Sequence, residues 1–219
     1  VLALGGSGGM GRFSSYAISN YSNITKVTIA DLNEANAKEF SNHFDDRFTG
    51  IGLDVTDKEH LEKVMLDHDI VLNTTGPFFK FGLPILKSAI KCKCHYFDIC
   101  DDWEPTEEML KLNDEALKND ITAIVGLGAS PGISNLLGLK AMNELDEAES
   151  IITGWDVSSA KPEDESSQKG TNAAMEHGLQ QISGEIKVYK DKKYKLTKPL
   201  EKIEIHYPGR GNHDAFIFG

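Results

Sequence analysis

The sequence predicts an α/β protein: a doubly wound parallel sheet over residues 1–130, followed by part of an α+β domain over 131–219. Three observations carry this expectation. Short apolar runs alternate with helix-patterned stretches six times; the alternation stops after Gly126; and the remainder of the chain reads as helices leading into antiparallel strands. Val1 to Leu4 is the first strand, followed by a glycine loop and a helix with Phe13, Tyr16, Ala17 and Tyr21 as its apolar stripe. Lys26 to Asp31 is the second strand, and Asn33 caps a helix burying Ala37, Phe40 and Phe44. Thr49 to Val55 is a third strand, unusual for its glycines, and Asp57 caps the helix carrying Leu61, Val64 and Met65. Ile70 to Asn73 is the fourth strand, and Pro84 suits the first turn of the next helix. His95 to Ile99 and Thr122 to Gly126 are the fifth and sixth strands, with one helix over residues 106–118 between them. In the second part, Ser130 is the expected cap and Pro131 the first position of a long helix. A strand at 149–157, a polar loop at 161–169, a helix from Thr171 to Ile182, and strands at 185–190, 193–197 and 201–207 complete the pattern.

Composition narrows the partners. The chain has 219 residues, of which 40% are apolar and 26% charged, as expected of a globular protein with a substantial core. A net charge of −11 argues against nucleic acid and against an anionic membrane surface, both of which select a basic face. No apolar run reaches the ~18 residues of a membrane span. Cys92, Cys94 and Cys100 have neither disulfide-framework nor zinc spacing, so reduced thiols, a cytoplasmic location and no metal are expected. Val1 already lies inside a strand and Phe216-Ile217-Phe218-Gly219 stops in mid-pattern, so the chain is expected to be part of something longer.

Ligands of doubly wound sheets bind at the carboxyl ends of the strands, so the residues just after each strand carry the candidates. Gly6-Ser7-Gly8-Gly9-Met10-Gly11 comes after a strand and opens a helix, the Rossmann-type arrangement for a dinucleotide pyrophosphate. Asp31 stands twenty positions after Gly11, where an acid bonds the adenosine ribose hydroxyls. A carboxylate there repels a 2′-phosphate, so NAD is favoured over NADP, although Arg12 offers a cation. Asp54 and Val55 fall either in an adenine pocket or, with Thr56, in a polar turn ahead of the Asp57 cap. Thr74, Thr75, Gly76 and Pro77 are read as contacts to the nicotinamide ribose.

The segments Gly5 to Arg12, Asn73-Thr74-Thr75-Gly76-Pro77-Phe78, Tyr96-Phe97-Asp98 and Gly128 to Asn135 together resemble the saccharopine dehydrogenase family. Ala174 to Gly178 and Tyr207-Pro208-Gly209 echo it more faintly. The resemblance implies a nucleotide domain followed by a substrate and dimerisation domain, hence a homodimer in lysine or polyamine metabolism. It further implies hydride transfer between nicotinamide and a carbon–nitrogen bond of an amino acid or polyamine. Ser130 departs from the aspartate that saccharopine reductases carry before Pro-Gly, which puts saccharopine itself in doubt as substrate.

Two residues are candidates for proton transfer. Asp98 lies at the ligand edge with Cys100, Asp101 and Asp102, and it either meets a substrate amine or belongs to an acidic turn. His177 has a pKa near neutrality, but it borders an apolar stripe, where a satisfied half-buried histidine is commoner. Ser130 and Arg210 are candidates for substrate contact, Arg210 through a bidentate grip on a carboxylate. Two alternatives to the amine oxidoreductase stand: a nucleotide-binding regulator without turnover, and a reductase of another substrate such as an enoyl lipid.

Overall fold

The computed structural model describes residues 1–154, 178–179 and 181–218. Its contacts divide the chain into two units, Val1–Ala160 and Lys161–Gly219. The first unit is built on strands β1 (Leu2–Leu4), β2 (Val27–Asp31), β3 (Phe48–Gly52), β4 (Ile70–Asn73), β5 (His95–Asp98) and β6 (Ala123–Ile124). All pair in parallel, in the order β3-β2-β1-β4-β5-β6. The connecting helices are α1 (Gly9–Tyr21), α2 (Glu34–Ser41), α3 (Lys58–Met65), α4 (Phe78–Cys92), α5 (Trp103–Leu110) and α6 (Asn113–Lys118).

The chain steps one way from β1 to β3 and the other way from β4 to β6. Right-handed crossovers therefore put α1 and α2 on one face and α3 to α6 on the other. The core divides accordingly. Val27 and Ile29 pack with Ala37, Phe40 and Phe48. Leu2, Leu4 and Ala30 point the opposite way and pack with Leu61, Met65, Ile85, Leu86 and Met109. Period-two alternation along β1 and β2 separates the two sets.

Several expectations need correction. Most of the stripe expected on α1 faces outward: Phe13 and Tyr21 are 62% and 89% exposed, Tyr16 packs on the rings of Phe40 and Phe44, and the buried residues are Gly11 and Ser15. This helix sits too close to the loop beneath it for large side chains to fit between. Strand β3 begins and ends earlier than expected, and its glycines have a packing reason. A Cβ on Gly50 would lie 2.4 Å from the backbone of Ala37, so α2 rests directly on the strand. Pro84 lies inside α4 rather than in its first turn, because the helix already starts at Phe78 after Pro77. The single helix expected over 106–118 is two, since Leu112 adopts a bridge-region backbone (φ −83°, ψ 5°) that interrupts the hydrogen-bond ladder.

Ser130 and Pro131 do not open the next helix. Helix α7 (Ile133–Asn143) starts after Gly132, which sits at φ +122° where a Cβ would fall 2.2 Å from the Gly128 carbonyl oxygen. The preceding residues form a tight loop closed by Gly128 N–H to Pro131 O (3.0 Å) and Ile133 N–H to Gly128 O (3.0 Å). Residues 149–154 form no strand, and 155–157 lie outside the described residues. In the second unit, β7 (Ile186–Lys190) pairs antiparallel with β8 (Lys193–Thr197) around Asp191 and Lys192, both at positive φ. Strand β9 (Lys202–Tyr207) pairs antiparallel with β10 (Gly211–Phe216), a strand not expected from the sequence pattern. Among the described residues, no helix is long and apolar enough to cross a membrane.

His68 gives this fold a pH dependence. Its Nδ1 lies 2.8 Å from Val64 O and its Nε2 2.7 Å from Thr28 Oγ1. Burial, the largest influence, pushes its pKa below the ordinary 6.5. The unfolded chain therefore binds more protons than the folded one between those two values. The stabilisation is complete above pH 6.5 and is lost as pH falls toward the lowered folded value. Urea midpoints measured from pH 8 to 5 should fall on the acid side, and His68→Gln should flatten that slope. An equal slope in the variant would refute the assignment.

Candidate functional site

The strand order reverses between β1 and β4, and the carboxyl ends of these two strands hold the glycine loop and the Asn73–Pro77 loop side by side. Thr74 binds the end of β1 twice, donating from its N–H (2.9 Å) and its Oγ1 (2.8 Å) to Leu4 O. Within the glycine loop, a Cβ on Gly6 would approach Ala3 O at 2.9 Å, and one on Gly11 would strike Gly5 O at 2.2 Å and Gly6 Cα at 2.6 Å. Gly5, at φ +67°, makes the tight turn, Gly6 lies close against the strands, and Gly11 lets the helix lie on the loop. Gly8 is the N-cap of α1, no side chain caps this helix, and no acid stands in its first turn. Gly8, Gly9 and Met10 are exposed, and nothing approaches a Cβ on Gly9 within 4 Å. The helix N-terminus therefore presents its N–H groups and partial positive charge to open space, the arrangement that receives a phosphate.

Ser7 connects this cradle to the second strand, donating from Oγ to Asp31 Oδ2 at 2.6 Å. Asp31 Oδ1 also accepts the Asn33 N–H at 3.3 Å. Arg12, in the first turn of α1, donates from Nε to Ser7 O at 2.8 Å, and its guanidinium lies 4.9 Å over the Phe40 ring. One strand further, Leu53 N–H binds Asp31 O at 2.8 Å, which places Asp54 and Val55 beside Asp31 beyond the end of β3. Asp54 Oδ1 accepts both the N–H (2.8 Å) and the Oγ1 (2.7 Å) of Thr56, and these bonds hold its carboxyl below the usual range. The polar-turn geometry is therefore present at Asp54, at a position that also borders the ligand edge.

On the other side of the reversal, Asn73 Oδ1 accepts the Thr75 N–H at 3.0 Å and so shapes the Thr74–Pro77 loop. Thr75 Oγ1 is buried with no hydrogen-bond partner, a donor and acceptor in reserve at the ligand edge. Asp98 is fully buried. Its Oδ2 accepts Tyr96 Oη (2.7 Å), while its Oδ1 accepts the N–H groups of Cys100 (3.0 Å) and Gly126 (2.8 Å). Burial is the largest influence on its carboxyl and raises the pKa, against the pull of these three bonds. Asp102 is also buried and accepts the Phe79 N–H at 3.2 Å, at the start of α4. Burial pushes the Cys100 thiol up to about 12, the value of an inert packing residue. Ser130 is half-buried after β6 and accepts a hydrogen bond from Ser134 Oγ at 2.9 Å.

The structure thus brings Gly6 to Gly11, Asp31, Asp54, Val55, Thr74 to Pro77, Asp98 and Ser130 to one edge of the sheet. Arg210 stands in the β9–β10 turn of the second unit, where its N–H binds Tyr207 O at 2.9 Å. His177 lies outside the described residues. Sequence reasoning missed the Asn73 and Tyr96 side chains and the Arg12–Phe40 stack. Tyr96 was within reach of period-two spacing, which puts it on the same side of β5 as Asp98. Among the described residues, no three His, Cys, Asp or Glu side chains are grouped to hold a metal.

Strand order and cradle together define the class: a Rossmann-type dinucleotide-binding domain, whose open helix N-terminus and unpaired Thr75 hydroxyl fit such a ligand. Residues 1–124 match the saccharopine dehydrogenase NADP binding domain, and the chain belongs to that family. It is 31% identical over 122 residues to a saccharopine dehydrogenase [NADP(+), L-glutamate-forming] of Saccharomyces cerevisiae, covering 56% of this chain and 26% of that protein. A protein of the same name from Schizosaccharomyces pombe is 27% identical over 122 residues, again 56% of this chain and 26% of the relative. The chain thus spans about a quarter of the length of the curated relatives it matches. The apo structure of histidine-tagged saccharopine dehydrogenase (L-Glu forming) from Saccharomyces cerevisiae aligns with a TM-score of 0.52. That alignment has 27% identity and covers 65% of this chain and 30% of that one.

Proposed function

We propose that this chain carries the cofactor domain of an NAD(P)-dependent oxidoreductase that moves hydride at a carbon–nitrogen bond of an amino acid or polyamine. The observation that carries this reading is the reversal of strand order beside an open glycine cradle, in a chain of the saccharopine dehydrogenase family. The dinucleotide, when bound, supplies the hydride acceptor. The N-terminus of α1 holds its pyrophosphate, Asp31 the adenosine ribose, Asp54 and Val55 border the adenine, and Thr74 to Pro77 line the nicotinamide ribose.

The relatives' names carry NADP(+), but Asp31 favours NAD here, because a carboxylate at the ribose opposes a 2′-phosphate. Residues 1–130 are proposed as the nucleotide domain, and the chain from 131 onward as the start of a substrate and dimerisation domain of a cytoplasmic homodimer. Within the first unit, Ser130 is the proposed substrate contact. His177 stays a candidate for proton transfer, and Arg210 one for a carboxylate, each on its sequence context alone.

The test is NADH production at 340 nm by the full-length protein with lysine, saccharopine and a polyamine series. Amine-dependent turnover supports the reading. Tight NADH binding without turnover on any amine would replace it with a regulator, and turnover of an enoyl substrate alone would replace the substrate class.

A further inference from the structure

We propose that Asn73, Tyr96 and Asp98 form a positioning network that sets the three loops receiving the nicotinamide half of the cofactor. The proposal rests on reading this sheet edge as a dinucleotide site. Asn73 and Asp98 are register partners on β4 and β5, and Tyr96 lies two residues before Asp98 on the same side of β5. All three side chains are fully buried. Asn73 Nδ2 donates to Tyr96 Oη at 3.0 Å, and Tyr96 Oη donates to Asp98 Oδ2 at 2.7 Å.

At its ends this chain of bonds grips backbone. Asn73 Oδ1 takes the Thr75 N–H (3.0 Å) after β4, and Asp98 Oδ1 takes the Cys100 N–H (3.0 Å) after β5. The same oxygen takes the Gly126 N–H (2.8 Å) after β6, and Asp98 O takes the Leu127 N–H (2.7 Å). One carboxylate therefore connects the exits of two adjacent strands and, through tyrosine and asparagine, that of a third. Burying a carboxyl is costly, and apolar side chains would fill the space more cheaply. What they cannot do is accept three hydrogen bonds at once from the β5 segment and the exit of β6. Asp98 has no exposed surface with which to meet a substrate, so its effect on the site passes through the loops it holds.

In a doubly wound sheet the two mononucleotide halves lie on either side of the strand-order reversal. The adenosine half falls over β1 to β3 and the nicotinamide half over β4 to β6. A fault in the network should therefore be felt by one end of the cofactor. The test compares NADH, titrated by its fluorescence, with ADP, titrated by calorimetry, on the full-length protein and on Tyr96→Phe and Asp98→Asn. Tyr96→Phe keeps the ring and removes only the connecting hydroxyl, so it serves where Asp98→Asn fails to fold. The expected result is a Kd for NADH raised about tenfold, with the Kd for ADP within about twofold of the parent. Equal weakening of both ligands would reduce the network to a support of the fold and overturn the proposal, as would no change in either. A parent protein that binds neither ligand would overturn the dinucleotide reading itself, a result distinct from the other two.

Discussion

Gly11→Ala is expected to weaken NADH binding by about tenfold to a hundredfold, the affinity equivalent of about 1–3 kcal/mol of overpacking strain. The added Cβ would lie 2.2 Å from Gly5 O, 2.6 Å from Gly6 Cα and 2.8 Å from Gly6 C. All three are backbone atoms of the loop that turns beneath α1, so no side chain can swing aside. Either the helix lifts or the loop unwinds, and both take the N–H groups of α1 away from the pyrophosphate. Overpacking of this kind also costs about 1–3 kcal/mol of stability, so the melting temperature should fall with the affinity. Gly9→Ala is the control, because nothing lies within 4 Å of its Cβ. It should melt with the parent, and any affinity it loses reports crowding of the ligand rather than displacement of the helix. Fluorescence titration of NADH against both variants, with thermal melts, decides the matter. An unchanged Kd in Gly11→Ala would mean that the cradle is not where the cofactor sits.

The second large effect is on cofactor choice. The carboxylate of Asp31 is fixed by the Ser7 hydroxyl at 2.6 Å and by the Asn33 N–H at 3.3 Å, so it cannot turn away from a 2′-phosphate cheaply. At ~4 Å and the screening of a protein surface, two like charges oppose each other by up to about 4 kcal/mol. Asp31→Ser removes that repulsion and leaves the Arg12 guanidinium, anchored through Ser7 O and Phe40, as a cation beside the cradle. The ratio of KM for NADPH to KM for NADH should fall by ten- to a hundredfold or so, where tenfold corresponds to about 1.4 kcal/mol. A parent enzyme that already prefers NADPH would refute the role given to Asp31. It would bring this chain into line with the NADP(+) in its relatives' names.

Much of this site was legible in the sequence because it depends on local rules. A glycine loop between a strand and a helix, and an acid at the end of the next strand, follow from backbone sterics and from strand period. So do the caps at Asn33 and Asp57, whose side chains accept the N–H groups of Asn36 and His60. Features decided by tertiary approach were not legible. Most apolar residues of α1 pointed to the wrong face because Gly11 and Ser15, which carry no hydrophobic signal, are what closeness to the loop demands. The Ser130-Pro131 pair has the composition of a helix start. Its backbone is instead committed to a turn around Gly128 and Gly132, which no spacing in the chain announces. Asp98 stood out as an acid at the ligand edge. That its oxygens are occupied by Tyr96, Cys100 and Gly126 depends on the register of β5 against β4 and β6, known only once the sheet is assembled.

The reversal of strand order at β1 and β4 has a genetic consequence. Everything proposed to touch the adenosine end is encoded before α3, and everything proposed to touch the nicotinamide end is encoded after it. Helix α3 (Lys58–Met65) crosses from one set to the other and contributes no residue to either. It is a natural seam for recombination. Exchanging the stretch upstream of it among relatives would transplant dinucleotide preference as a cassette, while the reacting end of the cofactor kept its own inheritance.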